Sequence, residues 1–179
     1  VLDVQDCAEG AQYLVSQGLA DPERIAIRGR SSGGYTVLSA LADSDVFTAG
    51  TSLFGIGDLK LLDATTHKFE SHYDQFLIGS DDLSDPVWAE RSPINKVDQS
   101  HAPLLLLQGT EDKVVPPSQA ESMFEALRDS GRPVALRLYS GEGHGFHSAA
   151  NIKDSWESEL SFYSQVWNLD AKVPVNLEI

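Results

Sequence analysis

The sequence contains one cysteine, Cys7, in 179 residues. A single thiol excludes an intramolecular disulfide framework and a cysteine-based zinc site. Basic residues are scarce: 13 Lys and Arg stand against 27 Asp and Glu, a formal charge of −14. That balance repels phosphate backbones and anionic lipid surfaces, so neither nucleic acid nor membrane is an expected partner. Long apolar runs are missing as well. The densest, Leu104 to Leu107, falls far short of the roughly 18 residues of a membrane span. The first residues, Val1-Leu2-Asp3-Val4, include no Met and no basic-then-apolar pattern, so the expectation is a piece of a longer, cytoplasmic protein.

What is present is ordinary for a globular protein: 41% apolar and 22% charged residues, enough to form one core. Val4, Ala8, Ala11, Leu14 and Val15 recur at three- and four-residue spacing, which predicts an amphipathic helix stopped by Gly18. Its one thiol, Cys7, is expected to be buried as a small apolar side chain. Arg24 to Arg28 reads as a strand ended by Gly29, and Ser32 to Leu41 as a helix. Phe47 to Phe54 is a second strand, Leu59 to Ile78 a helical stretch, and Ser80 to Pro86 an acidic loop. Ala102 to Gly109 reads as a strand covered on both faces, typical of parallel sheets. A helix through Ala120, Met123, Phe124 and Leu127 follows, stopped by Gly131, and then a strand at Val134 to Tyr139. Ile152, Trp156, Leu160, Tyr163 and Trp167 mark a last helix, with Asn151 as its expected cap. Residues 170–179 read as a tail. Strands alternating with helices predict an α/β fold, a parallel sheet of about four strands flanked by helices.

Gly29-Arg30-Ser31-Ser32-Gly33 matches G-x-S-x-G where a strand runs into a helix. A match by chance alone is expected about one time in twenty at this length, so the context carries more weight than the pattern. In a nucleophile elbow the serine takes a strained backbone and the flanking glycines let strand and helix approach. An ordinary glycine-containing turn is the plainer reading. Ser31, not Ser32, is in register.

A serine hydroxyl needs a base in reach and an acid to orient that base. On this architecture the order is Ser, acid, His, each after a strand. Asp112 and its neighbour Glu111 are the acid candidates, after the leucine strand. His144, in Gly141-Glu142-Gly143-His144-Gly145-Phe146, is the base candidate. Its glycines give the ring room and let the loop turn inward. Taken singly, Asp112 is a turn former and His144 a surface histidine; together and in order the three point to acyl transfer. His67, Glu70 and Asp74 could share a helical face, but their spacing matches no strong zinc pattern. No metal and no cofactor is expected. His101 and His147 read as turn and loop residues.

Several segments carry a resemblance to a known family: Gly29-Arg30-Ser31-Ser32-Gly33-Gly34-Tyr35, Thr66-His67-Lys68-Phe69-Glu70-Ser71, Ser92-Pro93-Ile94, Gly109-Thr110-Glu111-Asp112 and Gly143-His144-Gly145-Phe146. Together they resemble the catalytic domain of the prolyl oligopeptidase family of serine peptidases, in its acylaminoacyl-peptidase and aminopeptidase-like branch. The resemblance runs from the first helix to about Leu169. It implies Ser31 as nucleophile, Asp112 rather than Glu111 as orienting acid, and His144 as general base. It implies the Ser32 N–H as an oxyanion donor. Tyr35 and Glu70 are candidate substrate contacts, Glu70 toward a substrate amine or another positive group, and a solvated helix face is the plainer reading of Glu70. Ser32 departs from the Ala or Tyr of many relatives, which leaves its N–H unaffected.

The resemblance further implies that residues 1–179 are the C-terminal part of an α/β-hydrolase domain, short of its first strands and of a second oxyanion donor. Loss of one such donor costs about 2.7–4 kcal/mol of transition-state stabilisation. The implied activity is hydrolysis of peptide bonds near the amino terminus through an acyl-enzyme. Its rivals are a carboxylesterase on the same fold and an inactive fragment. That fragment would self-associate through an exposed strand at Ile25–Ile27 or pair with a missing N-terminal part.

Overall fold

The structure, a computed structural model, describes residues 2–65, 73–175 and 177–179. Four parallel strands form one sheet in the order β1 (Ala26–Arg30), β2 (Ala49–Leu53), β3 (Leu104–Gly109), β4 (Val134–Tyr139). Helices α1 (Leu2–Ser16) and α2 (Ser32–Asp43) bracket β1, and α3 (Leu59–Thr65), α4 (Tyr73–Ile78) and α5 (Pro86–Glu90) follow β2. A 3-10 segment, Pro93–Gln99, leads into β3. Helix α6 (Ser118–Asp129) joins β3 to β4, and α7 (Ala149–Val166) closes the order.

The leucine strand is the centre of the molecule. Side chains alternate across a strand, so Leu104 and Leu106 join Val37, Leu41, Met123 and Leu127 on one face. Leu105 and Leu107 join Tyr139 and Phe162 on the other. All four are at most 2% exposed, and each contributes about 1.5–3 kcal/mol of hydrophobic stabilisation. A smaller cluster, Leu59, Ile78 and Trp88 with Tyr35, Ile56 and Val87 against it, organises the segment between β2 and β3.

Strand β1 begins and ends two residues later than the sequence pattern predicts. Its pairing with β2 runs from Ala26↔Ala49 to Arg30↔Leu53, so the ladder carries the chain through Gly29 up to Ser31. The helical stretch expected from Leu59 to Ile78 is realised as α3 and α4, with residues 66–72 outside the described part. The helix at Pro86 and the 3-10 segment at Pro93 went unread, although Asp85-Pro86 and Ser92-Pro93 are both helix-start dipeptides.

Two helices present faces other than those expected. Only Val4 of α1 is buried; Ala8 and Ala11 pack beside it, while Leu14 is exposed and so is Cys7. Helix α1 lies on α2 along one narrow stripe, which leaves the thiol outside. In α7 the expected stripe meets the core only toward its C-terminal end, where Tyr163 and Trp167 pack against it; Trp156 and Leu160 are 66% and 50% exposed. The buried positions are Ser155, Ser158, Ser161, Phe162 and Ser164, small side chains that let the helix lie close to the sheet. Asn151 is inside α7, whose N-cap residue is Ser148. The chain end is not a loose tail throughout: Leu177 is buried in the cluster with Phe162, and Ser161 Oγ donates to Val175 O at 2.6 Å.

Candidate active site

Ser31 stands between β1 and α2 with φ 54 and ψ −122, a left-handed conformation that costs a non-glycine residue about 1–3 kcal/mol. Neighbouring elements hold it there. Its N–H donates to Leu53 O at 3.0 Å, and its carbonyl accepts from Tyr35 N at 3.0 Å. The turn is feasible because a Cβ on Gly29 would lie 2.1 Å from Gly33 O. Behind it, a Cβ on Gly34 would lie 2.6 Å from Gly55 Cα. A Cβ on Gly33 would meet nothing within 4 Å. The close helix–strand contact thus rests on Gly29 and Gly34, not on the second glycine of the pattern.

Asp112 follows β3, and its side chain is wholly buried. One oxygen, Oδ1, accepts from Val114 N and Val115 N, each at 2.9 Å, which is the turn-forming role. The other, Oδ2, accepts from His144 Nδ1 at 2.8 Å and from Gln108 Nε2 at 3.3 Å. Glu111 next to it is exposed. His144 follows β4, and its Nε2 lies 2.9 Å from Ser31 Oγ. The carboxylate can only accept, so Nδ1 carries the proton and Nε2 is left to accept from the serine hydroxyl. Phe54, at φ 39, sets its ring edge-on to the imidazole at 4.8 Å between centroids. Phe146 packs on both Phe54 and Tyr139. A hydroxyl, an imidazole and a buried carboxylate in one hydrogen-bonded line can ionise the hydroxyl as it attacks a carbonyl.

Ser32 opens α2 and is exposed; the first N–H groups of a helix have no intrahelical partner. Tyr35 is half-buried; its hydroxyl donates to Arg91 O at 2.9 Å and its ring packs against the Trp88 cluster. Glu70 and His67 lie outside the described residues. Among the described residues no three His, Cys, Asp or Glu side chains are grouped to hold a metal, and no helix is long and apolar enough to cross a membrane. Gln108 and Gln119 were not foreseen. Buried Gln119 accepts from Gly57 N and Asp58 N at 2.9 and 2.8 Å and fixes the loop after Phe54. A polar residue closing an all-leucine strand was the available signal for Gln108.

A parallel sheet covered by helices on both faces, with this line of side chains beyond its strand ends, defines an α/β hydrolase. The chain belongs to the prolyl oligopeptidase family, which it matches over residues 2–170. It is 31% identical over 156 residues to dipeptidyl aminopeptidase BIII of Pseudoxanthomonas mexicana, covering 83% of this chain and 22% of that protein. Among solved structures, a puromycin-hydrolyzing peptidase of Mycobacterium tuberculosis superposes with a TM-score of 0.94 at 45% identity, covering 100% of this chain and 28% of that one. An acylaminoacyl peptidase of Pyrococcus horikoshii gives 0.84 at 28% identity, covering 97% and 29%. The chain therefore spans about a quarter of the length of these relatives.

Proposed function

We propose that this chain carries the chemistry of a serine peptidase acting near the amino terminus of peptides. Ser31 Oγ attacks the scissile carbonyl carbon while His144 Nε2 takes the hydroxyl proton. Asp112 holds the imidazole and stabilises its charged form. The Ser32 N–H faces the developing oxyanion. Collapse breaks the C–N bond, and the leaving amine takes the proton from His144. Water, deprotonated by the same nitrogen, then releases the acyl group and restores Ser31. The observation that carries this reading is the continuous line from Asp112 Oδ2 through His144 to Ser31 Oγ, at 2.8 and 2.9 Å.

The substrate class follows from the relatives named above: aminoacyl and short peptidyl amides, puromycin among them. Tyr35 and Glu70 are proposed as substrate contacts, with Glu70 meeting a positive group such as the free amine. The test is labelling by a fluorophosphonate together with turnover of aminoacyl and dipeptidyl anilides and of puromycin. Wild type should label once, and Ser31→Ala should lose both labelling and turnover. Labelling that persists in Ser31→Ala overturns the assignment.

We further infer that the outer edge of β1 accepts another strand, from a second copy of this chain or from further residues of a longer protein. The edge pairs with no strand among the described residues, and Ala26, Arg28 and Arg30 along it are exposed.

A further inference from the structure

The loop that carries His144 is anchored at its ring contacts, His144 on Asp112 and Phe54, and Phe146 on Phe54 and Tyr139, but its backbone is rich in glycine. Gly141, Gly143 and Gly145 are three of its six residues from 141 to 146, with φ 77 at Gly141 and 128 at Gly145. A Cβ on Gly141 or Gly145 would meet nothing within 4 Å, and one on Gly143 only Glu111 O at 3.9 Å. Packing of side chains at these positions therefore cannot set where the imidazole stands. We propose that Glu142 is the positioning residue of this site: its carboxylate closes the His144 loop on itself and fixes the base against Ser31. This rests on the triad reading above.

Glu142 is 3% exposed and outside the triad. Its Oε2 accepts from His147 N at 2.7 Å. Its Oε1 accepts from Ser148 N at 2.9 Å and from Asn151 Nδ2 at 2.8 Å. The side chain thus ties the residue two before His144 to the residues three and four after it, and to the first turn of α7. Inside that ring Gly145 N donates to Gly143 O at 2.8 Å. The backbone of Glu142 ties the ring to the acid: its carbonyl accepts from Glu111 N at 2.9 Å. That approach needs the bare Cα of Gly109, where a Cβ would lie 2.3 Å from Glu142 O. One residue therefore couples the Asp112 loop, the His144 loop and the start of α7. Hydrogen bonds to an ionised carboxylate are the stronger kind, which suits a clamp on a glycine loop. The position just ahead of a helix N-terminus also favours negative charge.

The test compares Glu142→Gln and Glu142→Asp with wild type, with kcat expressed per site titrated by a fluorophosphonate. Glutamine keeps the length but turns an amide NH2 toward a donor that the carboxylate accepted. Glu142→Gln should lower kcat on an aminoacyl anilide by about 100-fold, with KM changed less than about twofold, as a displaced base predicts. Glu142→Asp keeps both oxygens and should recover about tenfold of that loss. A purely structural role gives fewer titratable sites and an unchanged kcat per site, and that result overturns the proposal. If Glu142→Gln does not fold, Asn151→Ala removes a single donor from the clamp and should still lower kcat per site several-fold; an unchanged value overturns the proposal equally. Ser31→Ala reports on the nucleophile alone. Labelling that persists there brings down the triad reading and this inference with it, whereas labelling lost in Ser31→Ala with kcat per site unchanged in the Glu142 variants overturns this inference and leaves the triad standing.

Discussion

Ser31 illustrates how a short pattern becomes geometry. The residue is strained, and its strain is sustained by two hydrogen bonds and by bare Cα atoms at Gly29 and Gly34. The glycines are not equivalent. Ala at position 34 drives a methyl into Gly55, an overpacking that costs about 1–3 kcal/mol. Ala at position 33 enters open space at the start of a helix, where replacing Gly gains up to about 1 kcal/mol. Thermal melts should therefore show Gly34→Ala melting clearly below wild type and Gly33→Ala at or above it. Equal losses would contradict the packing described here. Asp112 divides its two oxygens: Oδ1 takes the turn-forming contacts, and Oδ2 accepts from His144 Nδ1, the contact that the proposed role as orienting acid requires.

At the scale of elements, periodicity located nearly every helix and strand but not always the face it buries. Helix α7 has its apolar residues at regular spacing, yet serines face the sheet and Trp156 faces out. The spacing of apolar residues identifies a helix; which stripe is covered depends on what lies opposite, and here a close approach selects small side chains. Strand β1 has a comparable two-sidedness. Ile25 O accepts from Thr48 N, just ahead of β2, and Ser31 N donates to Leu53 O at its end, so by alternation Ile25, Ile27, Gly29 and Ser31 direct their backbone groups inward, and Ala26, Arg28 and Arg30 direct theirs to the open edge. Proline at position 28 removes an outward N–H without touching the β1–β2 ladder. Sedimentation should show wild type associating with rising concentration and Arg28→Pro doing so more weakly. A wild type that stays monomeric throughout excludes pairing between copies.

For the whole molecule, two phenols, Tyr139 buried and Tyr163 partly buried, and two hydrogen-bonded carboxylates make stability depend on pH. Burial raises Tyr139 and Tyr163 from 10.0 to about 12 each. Folding therefore holds these protons more tightly than the unfolded chain does. That stability is fully present below pH 10 and is lost as pH rises toward 12. On the acid side, Glu142 is lowered by the His147 N–H and the Asn151 amide. Burial pushes Asp154 up, but the hydrogen bonds and positive charge of Arg137 outweigh it and leave it lowered. Their stability is present above the ordinary values of 4.5 and 3.8 and is lost as pH falls below them. Phenolate absorbance should show two of the five tyrosines of this chain ionising late, together with alkaline unfolding. Ionisation of all five near pH 10 with the fold intact would refute the burial of Tyr139 and Tyr163.

The amino-acid sequence by itself determined the alternation of strands and helices, because burial on one or two faces imposes a period on apolar residues. It also placed Ser31, Asp112 and His144 each just after a strand, which in a parallel sheet is one end of the molecule. Only the tertiary structure decided distances and faces. Ser31 and His144 are 113 positions apart in the chain, and no local rule brings two such side chains within 2.9 Å. Long-range contacts contribute, with Gly109 making room for Glu142 and Gln119 hydrogen-bonding the loop after Phe54, beside the local one in which Gly29 makes room for Gly33. The exposure of Cys7 and Trp156 was likewise beyond the pattern, since a side chain is buried only if another element comes to cover it.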